Sequence, residues 1–132
     1  MTGREVFQRA VALMNELDSF GEYHPDVADL EYNAPELLSI AVAELWSVDC
    51  IVRGVRPMAS GYTLEPIRSL TDVLPLHDIT CGCLPYLLSS MLLEEENQAR
   101  SEHFYKLYLS LRSSITEVFT RGEWRTIRDV YS

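Results

Sequence analysis

His77, Cys81 and Cys83 bring several metal-ligating side chains into one short stretch of the sequence. A zinc site needs four ligands in closed geometry, usually from paired CxxC-type turns. Here there is a single Cys-x-Cys, with no second pair and no neighbouring His or Cys to complete the set. Ordinary thiols are therefore the preferred reading, with no metal and no cofactor. A cysteine nucleophile needs a positioned thiolate and a base, and His24, His77 and His103 stand in no recognisable motif. Glu94-Glu95-Glu96 offers carboxylates, but such a run at a helix end is usually a solvated face. The sequence has no GxGxxG, GxxxxGK[ST], HExxH or GxSxG pattern. No catalytic residue is assigned, and a non-enzymatic role is expected.

Binding chemistry is better represented. Phe104, Tyr105 and Tyr108 could stack a base, but no basic surface surrounds them and a helix-packing stripe explains them more simply. Residues 123–132 follow Gly122 and read as an arm outside the helical body. Trp124, Ile127, Val130 and Tyr131 lie there among Arg121, Arg125 and Arg128. Trp, Tyr and Arg dominate interface hot spots, so these seven residues are candidates for seating in a partner's groove. An arm folded back on its own subunit is the competing reading. Tyr62, Leu64, Ile67 and Leu70, in the stretch 54–78, are candidates for contact with a neighbouring subunit.

Helices have to position these groups. Thr2 and Glu5 form a capping-box pair for a first helix over about 2–20, with Val6, Phe7, Ala10, Val11, Met14 and Leu17 on one face. A second helical region runs from Pro25 to about Arg53. Pro35 is expected to break or kink it, and Gly54 to end it. Its later part is apolar nearly all round, as in a central helix. Segment 54–78 holds three prolines and two glycines but keeps regular hydrophobic residues. An ordered arm with a short strand or hairpin is expected there. A third helix over about 79–95 and a fourth over about 97–119 complete an all-α bundle of about four helices. The expected organisation is one helical domain, 1–122, with 54–78 inserted and 123–132 as a C-terminal arm.

The chain has 132 residues, 47% hydrophobic and 23% charged, which is a globular composition of one-domain size. A chain of this mass can bury about two-thirds of its unfolded surface, enough for a core without staples. The net charge of −9 argues against a stable wrap around nucleic acid, which needs a basic surface. The charge is also unevenly placed. Residues 1–50 carry two basic against ten acidic side chains, a net of −8, whereas residues 101–132 carry five against four, a net of +1. Opposite signs at two ends suit head-to-tail self-association, and scattered surface charge is the plain alternative. The first residues lack an apolar h-region and no apolar run approaches a membrane span, so a cytoplasmic product with three reduced thiols and no membrane contact is expected.

Read in order, the chain offers a Leu-rich helix holding Ala43-Glu-Leu-Trp46, then Leu70-Thr-Asp-Val-Leu-Pro-Leu-His-Asp78. Cys83-Leu-Pro-Tyr-Leu-Leu-Ser-Ser-Met-Leu-Leu-Glu-Glu-Glu-Asn97 and Phe104-Tyr-Lys-Leu-Tyr108 follow. This order resembles the head–tail connector (adaptor, head-completion) proteins of tailed phages and prophages. The resemblance covers most of the chain and rests on order and pattern, not on an invariant catalytic motif. Two departures are visible: Leu87-Leu88-Ser89-Ser90 stands where glycine and alanine are commoner, and Cys81-Gly82-Cys83 is an unusual lead into the helix. The resemblance implies a virion protein made in the bacterial host cytoplasm. It implies a ring of copies, typically a dodecamer, below the portal protein and above a tail or stopper protein. DNA would pass through that ring without specific binding, since an acidic lumen gains nothing from counterion release. From the residues alone, a small acidic helical module that binds or inhibits a basic partner is the alternative.

Overall fold

A computed structural model of the chain describes residues 1–16, 27–55 and 65–120. Among the described residues the fold is all-α. Its helices are α1 (Gly3–Glu16), α2 (Val27–Arg53), the one-turn α3 (Asp78–Cys81), α4 (Leu84–Leu93) and α5 (Gln98–Thr120). A helix end leaves backbone N–H groups without partners, and α1 shows how this sequence supplies them. The Thr2 hydroxyl accepts from the Glu5 N–H at 3.3 Å. The Glu5 carboxylate takes a hydrogen bond from that same hydroxyl, at 3.3 Å. The N–H groups of Gly3 and Arg4 donate to the carbonyls of Asp72 (3.1 Å) and Leu70 (2.7 Å).

Those carbonyls belong to residues 65–77, which lie as a strap across the start of α1. The Leu74 N–H donates to the Met1 carbonyl at 2.9 Å, and Thr2 and Val73 form one isolated antiparallel bridge. No hairpin or longer strand forms among the described residues. A Cβ on Gly3 would lie 3.2 Å from both the Leu70 carbonyl oxygen and a Leu38 methyl, so glycine is what lets strap and helix approach. The other end of the strap is fixed to α2. There the Ser39 hydroxyl accepts from the Ile67 N–H at 2.6 Å and lies 3.2 Å from the Pro35 carbonyl.

Two expectations about helix boundaries are corrected. Of the break or kink expected at Pro35, the break does not occur: α2 is continuous through it, and the Ser39 bridge ties that turn to the strap. The single helix expected over 79–95 is two. Pro85 can neither donate to the Cys81 carbonyl nor leave room for it, so the chain turns at Gly82-Cys83 and restarts with proline in the first turn of α4. Gly54 does end α2. At φ 72° it adopts the left-handed conformation that glycine accepts without strain. The Val55 N–H reaches the Cys50 carbonyl (2.9 Å) and the Gly54 N–H the Ile51 carbonyl (3.2 Å), a Schellman end.

α2 touches all four other helices. It buries Leu38, Ala41, Val42, Leu45 and Val48 but leaves Ile40 53% exposed, so it is central without being covered all round. The helix most enclosed by its neighbours is α4, where only Tyr86 and Met91 are partly exposed. Serines let the other helices come close to it. The Ser89 hydroxyl donates to the Ala10 carbonyl of α1 (3.2 Å), and the Ser101 hydroxyl of α5 donates to the Ser90 carbonyl (2.7 Å). Asn97 caps α5 by accepting from the Arg100 N–H at 3.1 Å.

Candidate functional site

The residues with the most evident chemistry are built into the frame. Cys81 and Cys83 are fully buried. The Cys81 thiol points to the Leu76 carbonyl at 3.6 Å. Burial pushes both thiols up to about 11, opposite to what a nucleophile or a ready ligand needs. His77 caps α3, with its Nδ1 accepting from the Ile79 N–H at 3.1 Å. No group of three or more His, Cys, Asp or Glu side chains among the described residues is placed to hold a metal ion. Phe104 and Tyr108 belong to the core, and Tyr105 lies against Tyr108 with ring centroids 5.6 Å apart. Phe104 and Tyr108 are therefore packing residues, while Tyr105 stays exposed beside them.

Ile67 and Leu70, named as candidates for contact with a neighbour, face inward in this structure. Both are buried in the core of their own subunit, because the strap that carries them is tied to α1 and α2 along its length. Tyr62, Leu64, Arg121, Trp124, Arg125, Ile127, Arg128, Val130 and Tyr131 lie outside the described residues.

The structure brings together one acidic residue that the sequence did not single out. Asp49 is fully buried, accepts from the His77 N–H at 2.8 Å and pairs with Arg53 Nε at 2.8 Å. Arg53 Nη2 in turn donates to the Pro75 carbonyl at 3.3 Å. This latch holds the end of α2 to the strap and α3, with Asp49 Oδ2 meeting Arg53 as an ion pair and accepting no hydrogen bond among the described residues.

The surface feature best suited to binding is a groove of about 480 Å³ between the first half of α2 and the end of α4. Its apolar lining comes from Leu30, Leu37 and Met91, which are partly exposed, from exposed Ile40 and from buried Leu92, with Asn33 beside them. Asp29, Glu36, Glu94, Glu95 and Glu96 ring it, and no basic side chain lines it. Three other acids of the bundle are matched: Glu31 pairs with Arg4 (3.1 Å), Glu44 with Arg112 (3.9 Å), and Asp78 with the N-terminal ammonium (3.7 Å). The five groove carboxylates have no such partner among the described residues. Three of them follow the end of α4, where the helix dipole is already negative. The groove can therefore take an apolar side chain on its floor and a cation at its rim. Sequence reasoning identified Glu94–Glu96 as a solvated face. It missed the groove because Glu36 and Ile40 come from a helix more than fifty residues earlier.

No protein-family model matches the chain, and neither the curated proteins nor the solved structures contain a match to it. Among the described residues, no helix is long and apolar enough to cross a membrane.

Proposed function

We propose that this chain is a non-catalytic structural subunit of a tailed-phage head–tail connector. Its copies assemble in a ring, typically a dodecamer, between a portal protein and a tail or stopper protein, and DNA passes through without specific binding. The supporting observation is the polarity of the subunit. An unmatched acidic groove lies beside the start of α5, and the arginine-bearing end of the sequence follows the far end of the same helix. A subunit with unlike ends associates head to tail, and such an interface closes into a ring when the rotation allows it. The ordered resemblance from Leu70 to Tyr108 supports the choice of ring, and the acidic surface suits a channel that must not hold DNA.

The test begins with the genes on either side. Portal and capsid coding sequences beside this one are expected, and the portal they specify is then co-expressed with this chain. A particle whose mass equals the portal plus a fixed ring of copies supports the connector. Failure to form anything larger than a dimer, alone or with that portal, removes it. The groove by itself favours a second reading, an acidic module for a basic partner, which the latter outcome would leave standing.

A further inference from the structure

We infer that the groove between α2 and α4 is the receptor for the C-terminal arm of a second copy of this chain. The arm offers what the groove lacks. Residues 121–132 carry Arg121, Arg125 and Arg128 against two acids, with Trp124 and Ile127 between the arginines. The groove offers five unmatched carboxylates around an apolar floor and no cation. A large aromatic anchor flanked by arginines is the kind of group that dominates a binding interface, and the acidic rim orients its approach.

Geometry favours the arm of a neighbour over the chain's own. Glu94, Glu95 and Glu96 stand immediately before α5, and the arm begins after its last residue, Thr120. At 1.5 Å per residue α5 separates Gln98 from Thr120 by about 33 Å. Arg121, Trp124 and Arg125 lie within five residues of Thr120 and extend at most about 18 Å from it. These three fall short of Glu94–Glu96 in their own subunit, whereas a second copy aligned head to tail brings all three to that end. Within one subunit only Arg128 and the residues after it, up to about 43 Å from Thr120 when fully extended, span the distance. The contact is heterologous, so each subunit uses its groove for one neighbour and its arm for the other. It deepens the ring reading and rests on it only for the closure of the copies into a ring.

The experiment uses two full-length variants. One, R121E/R125E/R128E, keeps the groove and loses the arm; the other, E36K/E95K, keeps the arm and loses the groove. The substituted groove positions are exposed, and circular dichroism and thermal melting check that both variants fold. Each alone should be monomeric at low salt, where the parent chain associates. Mixed, they should form a one-to-one pair and nothing larger, measured by light scattering after size exclusion. A labelled peptide of residues 119–132 should bind the arm variant and bind E36K/E95K about tenfold more weakly or worse. The inference is overturned if the mixture stays monomeric, if either variant alone keeps the parent's mass, or if the peptide binds both variants equally or neither. A pair that forms while no ring or portal complex appears would remove the connector and leave this contact. A ring that survives both reversals would do the reverse.

Discussion

Asp49 is a buried carboxylate whose two partners tie three segments together: the His77 N–H at 2.8 Å and Arg53 at 2.8 Å. Removing it leaves the part-buried His77 N–H and the Arg53 guanidinium without their acceptor, and a lost partner of this kind usually costs about 1–3 kcal/mol. Asp49→Ala should therefore lower the unfolding free energy by about 2 kcal/mol in urea titration, and hydrogen exchange at the His77 amide should quicken. An unchanged His77 exchange rate would show that the latch does not hold the strap. The cysteines make a separate prediction. Cys81 and Cys83 are raised from 9.0 to about 11 by burial, so the folded state favours the neutral thiol. That contribution is full below pH 9 and is lost as pH rises through about 11. The urea midpoint should fall over that interval. Cys81→Ala with Cys83→Ala should flatten the fall without abolishing it, since burial raises Tyr108 in the same direction.

The strap is the element whose role differs most from its appearance in the sequence. Its sequence suggests an ordered arm with a short strand or hairpin, but its backbone supplies carbonyls to the first turn of α1 and its leucines fill the core. One hydroxyl fastens its near end: Ser39 accepts from the Ile67 N–H at 2.6 Å. Ser39→Ala keeps the helix but deletes that acceptor, and a cost of about 1–2 kcal/mol is expected. The readout is faster exchange at the Ile67 amide, while amides in the middle of α4 slow or quicken only with global stability. α5 shows the opposite behaviour to the strap. Up to Tyr108 it is anchored in the core, but beyond it Leu111 and Ile115 are only partly covered. Its last turns therefore contribute less to folding than its first.

For the molecule as a whole, the distribution of charge matters more than its sum. The −9 total comes almost entirely from residues 1–50, and five carboxylates without a salt-bridge partner among the described residues gather in one groove. Removing residues 123–132 should leave the melting temperature nearly unchanged and abolish assembly onto a partner. Differential scanning calorimetry and native mass measurement check the two halves of that statement. A large fall in melting temperature would place the arm in the core of its own subunit. Self-association should also weaken as salt rises, because the rim carboxylates are exposed and lie within reach of screening.

The sequence by itself determined the all-α class, because helical periodicity is a local property. It also determined the Thr2 and Gly54 helix ends, the buried face of α1 and the imbalance of charge. Each depends on residues within a few positions of one another. Of the stripe expected on α5, only Phe104 and Tyr108 are buried, while Tyr105, Leu107 and Val118 are exposed. The tertiary structure decided what depends on distant partners. Pro35 stays helical because Ser39 and the strap hold its turn, and Ile67 and Leu70 turn inward because the strap is stitched to α1. Asp49 becomes a latch because His77 and Arg53 converge on it. The groove exists only where α2 and α4 meet, and no run of neighbouring residues encodes that meeting.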